Sequence, residues 1–164
     1  MDRPNRRRSF LVPLAVVAMA GFLVGCGDDD SEGAEGGTSV QVMLDEFSVA
    51  TEPASAPSGE VTFDVSNDGE ETHEIVVVRT DLGLLDLPTA EDGSVDEEGE
   101  GVEVVGEVED IAAGASGSLT LDLETGQYVL ICNIVEEEME MDEMEMEHDP
   151  SHYQSGMRTE FTVE

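Results

Sequence analysis

The chain has 164 residues, with six arginines and no lysine set against 40 acidic side chains, a formal net charge of −34. A surface of that sign repels phosphate backbones and anionic headgroups, which excludes nucleic acid as a partner. Two readings of the acidity stand side by side: steering toward a basic redox partner protein, or solvation in a saline habitat where screening makes dense carboxylates tolerable.

Residues 1–25 read as a signal peptide. Arg3, Arg6, Arg7 and Arg8 make a basic start, and the apolar run Phe10 to Val24 is short for a membrane span. It ends in Leu23-Val24-Gly25-Cys26, which resembles a bacterial or archaeal lipobox, with Cys26 as the lipidated residue. Arg7-Arg8-Ser9-Phe10-Leu11 also resembles a twin-arginine export signal; the alternative is an ordinary secretory signal. The expected location is the outer face of the cytoplasmic membrane or the cell envelope, with the membrane as partner through the anchor on Cys26. Residues 26–38, rich in Asp, Glu, Gly and Ser, read as a flexible tether.

Residues 39–164 are expected to form one domain. Val40, Val42 and Leu44 alternate with polar residues, and Phe47 and Val49 resume in the opposite phase, which predicts a bulge within one strand. Thr51 to Gly59, with Pro53 and Pro57, is a loop. Val61, Phe63 and Val65 mark a half-buried strand, and Asn67-Asp68-Gly69 a turn. Glu74 to Thr80 carries Ile75 and three valines in succession, the pattern of a strand buried on both faces. Residues 81–101 are an acidic insertion with room for one helical turn. Val102 to Val108, the Leu119-Leu121-Leu123 segment, Gln127 to Asn133 and Met157 to Val163 complete about seven strands. That is an all-β, Greek-key sandwich pattern. Gly126-Gln127-Tyr128 resembles a tyrosine corner.

With Cys26 lipidated, Cys132 has no cysteine to pair with, and a lone thiol in an oxidising compartment calls for burial or a metal. In Tyr128-Val129-Leu130-Ile131-Cys132, residues 128, 130 and 132 share one face, and Cys132 stands where the strand runs out into a loop. His73 opens another core strand just after the Asn67 turn, and His152 and Met157 precede the last strand.

This constellation resembles the cupredoxin family of plastocyanin and azurin over roughly Ser39 to Glu164. The Cys132-Asn133-Ile134 start, the four-residue spacing between His152 and Met157, and the following Phe161-Thr162-Val163 carry the likeness. The resemblance implies one type 1-like copper ion held by His73, Cys132, His152 and Met157. It implies an electron-transfer protein and not an enzyme; the carboxylates form runs with no convergent catalytic pair. A thiolate with two imidazoles suits copper in both oxidation states, and a long axial thioether raises the potential.

One departure from the family is the nineteen residues, Asn133 to Ser151, between the cysteine and the loop histidine. Most of the acidic insertion at about 135–151 is Glu136 to His148, which holds eight carboxylates with Met139, Met141, Met144, Met146 and His148. Thioethers favour Cu(I), so this stretch reads either as an accessory Cu(I) site or as a solvated low-complexity loop. The first alternative makes the protein a Cu(I) carrier or chaperone; a metal-free interaction module of the same fold is another.

Overall fold

The computed structural model describes residues 37–136 and 151–164. Period-two alternation builds its first sheet. In β4 (Gly59–Asn67), Val61, Phe63 and Val65 are buried while the residues between them face outward. β1 (Thr38–Asp45) repeats this with Val40, Val42 and Leu44 and pairs with β4 in parallel. β2 (Ser48–Glu52) folds back antiparallel on β1, and β7 (Ser116–Leu123) flanks β4, giving the order β2-β1-β4-β7.

The second sheet contains β3 (Ser55–Ala56), β9 (Arg158–Val163), β8 (Gly126–Ile131), β5 (His73–Arg79) and β6 (Glu103–Ile111), in that order. Its central strands β8 and β5 have no polar face. Ile75, Val77, Tyr128 and Leu130 point into the space between the sheets, while Val76, Val78, Val129 and Ile131 form a second cluster on the far side. Leu87 and Val95, from the segment between β5 and β6, and Tyr153 cover that second cluster. Each such fully buried aliphatic side chain contributes about 1.5–3 kcal/mol. The unbroken Ile75-Val76-Val77-Val78 run thus reflects burial on both faces. Between the sheets, Phe63 meets Phe161 edge to face at 5.4 Å.

The all-β sandwich expected from the sequence is the fold observed, with nine strands among the described residues instead of about seven. The phase change near Phe47 is a turn that separates β1 from β2, not a bulge within one strand. Ala56, buried in the proline-flanked loop, adds the two-residue β3 alongside β9. Residues 81–101 contain no helical turn; they carry an isolated bridge between Thr89 and Val95. The short helix α1 (His152–Ser155) lies instead just before β9. Tyr128 does close a corner, its hydroxyl donating to the Glu124 carbonyl at 2.8 Å.

Candidate metal centre

Three chain segments meet at one end of the sandwich. The first is the turn from β4 into β5. Asn67 is buried, and its side-chain amide donates to the carbonyls of Glu71 (2.7 Å) and Ile111 (2.8 Å) while its Oδ1 accepts from Gly69 N–H at 3.0 Å. This Asx-type turn ties the loop to the end of β6 and delivers His73 as the first residue of β5.

The second segment is the exit of β8. Cys132 follows Ile131 and donates its backbone N–H to Met157 O at 3.0 Å. Asn133 then anchors the exit. Its Oδ1 accepts from Val95 N–H at 2.6 Å, its amide donates to Val95 O at 3.1 Å, and its N–H donates to Glu74 Oε1 at 3.1 Å.

The third segment is the return. Val135 and Ser151 form a bridge, and His152 N–H donates to Ile134 O at 2.9 Å. The nineteen-residue separation between Cys132 and His152 is therefore closed at its base by direct pairing of the two ends. Ser151 caps α1 by accepting from Gln154 N–H at 3.3 Å and donates to Gly93 O at 2.9 Å. The Tyr153 hydroxyl donates to Leu84 O at 2.9 Å, Arg158 lies over the Tyr153 ring at 4.9 Å, and its guanidinium donates to the Tyr153 carbonyl. A single helical turn with its own cap thus fixes the His152 backbone against the segment that covers the outer face of the sheet.

The donors converge where these segments meet. Cys132 Sγ lies 3.4 Å from His152 Nδ1 and 3.9 Å from His73 Nδ1, and the two Nδ1 atoms are 3.2 Å apart. All three side chains are buried, at no more than 1% exposure. Met157, fully buried, packs in the same core cluster as Cys132. Of the residues singled out in the sequence, His73, Cys132 and His152 are thus brought together by their side-chain donors, and Met157 joins them through the Cys132 backbone and the shared core. Cys26, Met139, Met141, Met144, Met146 and His148 lie outside the described residues.

The environment presets these groups as ligands. Burial pushes the Cys132 thiol up to about 11, against a backbone N–H from Glu74 that reaches its sulfur at 3.5 Å. Without a cation the thiol therefore keeps its proton at neutral pH; a bound metal supplies the charge that releases it. Burial, followed by the neighbouring His73, pushes His152 below its ordinary value, so its ring is neutral and has a lone pair to give. His73 is oriented from outside: Glu46 Oε1 stands 2.8 Å from its Nε2. Burial works to raise the Glu46 carboxyl, but the N–H groups of Glu71 and Glu70 and the His73 ring together hold it below its ordinary value. An ionised carboxylate only accepts, so Nε2 carries the proton and Nδ1 turns its lone pair toward Cys132. Phe47 meets the His152 ring edge-on at 5.4 Å.

Sequence reasoning passed over Glu46 and gave Phe47 and Asn133 no role in supporting the site. Glu46 is one acid among 40 and reaches His73 from 27 residues away, so no local pattern marks it. Asn67 was legible as a turn residue, and its adjacency to His73 is the available clue to its positioning role.

One thiol and two imidazoles within 4.8 Å of one another, with a thioether close by, form a donor set suited to a soft or borderline ion. No protein-family profile and no curated protein matches the chain significantly. Among solved structures it is similar to dithionite-reduced auracyanin from the photosynthetic bacterium Roseiflexus castenholzii, at 20% identity and a TM-score of 0.54, over 79% of this chain and 99% of that one. It is also similar to rusticyanin from Thiobacillus ferrooxidans, at 15% identity and a TM-score of 0.50, over 79% of each chain. Both are cupredoxins, and in this two-sheet architecture the described chain has the cupredoxin fold.

Proposed function

We propose that the protein is a mononuclear copper electron carrier of the cell envelope, in which His73, Cys132, His152 and Met157 would hold one copper ion. The observation that carries this reading is the convergence of Sγ and two Nδ1 atoms in a buried cluster whose outer partner, Glu46, already sets the His73 tautomer. The fold likeness to blue copper electron-transfer proteins supports it. Bound copper would cycle between its cuprous and cupric forms, taking up and releasing one electron.

The protein's own part is to hold the donors still. Cys132 is fixed by its N–H to Met157 and by the Glu74 N–H at its sulfur, His152 by Ile134, and His73 by Glu46. Donors tied into strands and a capped turn rearrange little between oxidation states, which favours fast electron transfer. Burial of all three side chains keeps water out of the cluster. The acidic surface favours a basic redox partner, and the Cys26 anchor would keep the domain at the membrane where such partners operate.

The test is redox titration of copper-loaded protein freed of excess metal. One copper per chain, cycling reversibly through a single one-electron step, is the expected result. Copper that washes out of the native protein contradicts the reading.

A further inference from the structure

The outer edge of His152 is left unexplained by the inner cluster. Its Nδ1 faces Cys132, while its Nε2 is buried, belongs to a ring only 1% exposed, and has no hydrogen-bond partner. Two carboxylate oxygens from different segments converge on that nitrogen. Glu71 Oε2, from the β4–β5 loop, lies at 3.6 Å, and Glu136 Oε1, from the β8 exit, at 3.7 Å. The three atoms lie within 4.8 Å of one another.

These separations are long for an N–H···O hydrogen bond but suit ligands of one cation. A zinc ion about 2.0–2.2 Å from each donor, with tetrahedral angles, sets its donors roughly 3.4 Å apart. One imidazole nitrogen and two carboxylates make a borderline set. Calcium and magnesium prefer oxygen shells, and Cu(I) prefers sulfur. Three protein ligands leave a fourth position open, as zinc sites that take an exogenous ligand do.

We propose that His152 Nε2, Glu71 and Glu136 form an outer site for a zinc-type divalent cation. It rests on the outer edge of the ring and does not depend on copper at the inner cluster. A neutral imidazole has one lone pair. A cation on Nε2 leaves the proton on Nδ1, the nitrogen that faces Cys132. Outer and inner occupation therefore compete for His152, and each weakens the other by the same factor.

Because the Cys132 sulfur would itself take zinc, the test uses the full chain carrying Cys132→Ser, or Cys132→Ala if the serine destabilises the fold. Zinc is titrated by calorimetry, and the ring nitrogens of His152 are followed by ¹⁵N NMR. The expected result is one zinc per chain above the weak background of surface carboxylates, with the perturbation at Nε2. Adding Glu71→Gln or Glu136→Gln should lower that affinity by at least the roughly tenfold that even an outer-sphere partner is worth. Zinc binding unchanged by both substitutions, or a perturbation at Nδ1, overturns the proposal. No copper enters the experiment, so failure of the electron-carrier reading leaves its outcome intact.

Discussion

Glu46 Oε1 stands 2.8 Å from Nε2 of His73, joining the turn between β1 and β2 to the first residue of β5. The same carboxylate accepts the N–H groups of Glu70 (3.1 Å) and Glu71 (2.9 Å), so one side chain organises both the histidine and the loop that precedes it. Glu46→Ala should lower copper affinity about 10–100-fold, as loss of a partner behind a metal ligand does. Glu46→Gln, which keeps an accepting oxygen, should lose less. Competition against a chelator of known affinity reads both; an alanine variant that binds copper like the parent contradicts the orienting role.

The metal-free thiol should be inert. Cys132 is fully buried and its ionisation is pushed up to about 11 by burial. Iodoacetamide at neutral pH should therefore modify the native metal-free domain only as fast as it opens, and react readily once urea unfolds it. Rapid labelling of the folded protein, followed by mass spectrometry, would show the cluster open to solvent.

Glu74 links stability to pH with a sign opposite to that of most carboxylates. Burial pushes its carboxyl from an ordinary 4.5 up to about 7, the Asn133 N–H opposes this, and the charges of Glu97, Glu107 and Glu109 add to it. Between those two values the folded state binds more protons than the unfolded one, so stability falls as pH rises across that window. Glu74→Gln removes this contribution. In thermal melts of metal-free protein the variant should match the parent below pH 4.5 and exceed it above pH 7. The gain should be on the order of 1–2 kcal/mol once solvent screening of a partly exposed group is allowed for. Equal melting temperatures at high pH would contradict the assignment.

Gly156 closes α1 with φ at +127°, and a β-carbon there would stand 2.9 Å from the Phe47 carbonyl oxygen. Gly156→Ala should destabilise the domain by about 1–3 kcal/mol, seen as a lower urea midpoint. Because Phe47 packs edge-on against His152, the substitution should also alter the spectrum of the copper-loaded protein. An unchanged midpoint would mean that the turn relaxes freely.

The sandwich was legible because its signals are local. Val61, Phe63 and Val65 report one buried face, and the Ile75-to-Val78 run reports two. The short edge strands were not, because Ala56 owes its burial to a distant partner, β9, and a phase change alone does not tell a turn from a bulge. At the centre, His73, Cys132 and Met157 stand at strand ends that alternation locates, while His152, on the short helix before β9, was legible only through the family resemblance. Their supports were not legible: Glu46, Asn133 and the Val135–Ser151 bridge depend on where loops return. The long separation before His152 departs from the family pattern, and the pairing that closes its base leaves no trace in composition.

The central claim is that the Cys132 sulfur is a copper ligand, and visible absorption of Cu(II)-loaded protein tests it most directly. The account predicts an intense thiolate-to-copper charge-transfer band in the parent chain, bleached by reductant and absent from Cys132→Ser. A colourless parent protein, or a band that survives the serine substitution, would contradict it.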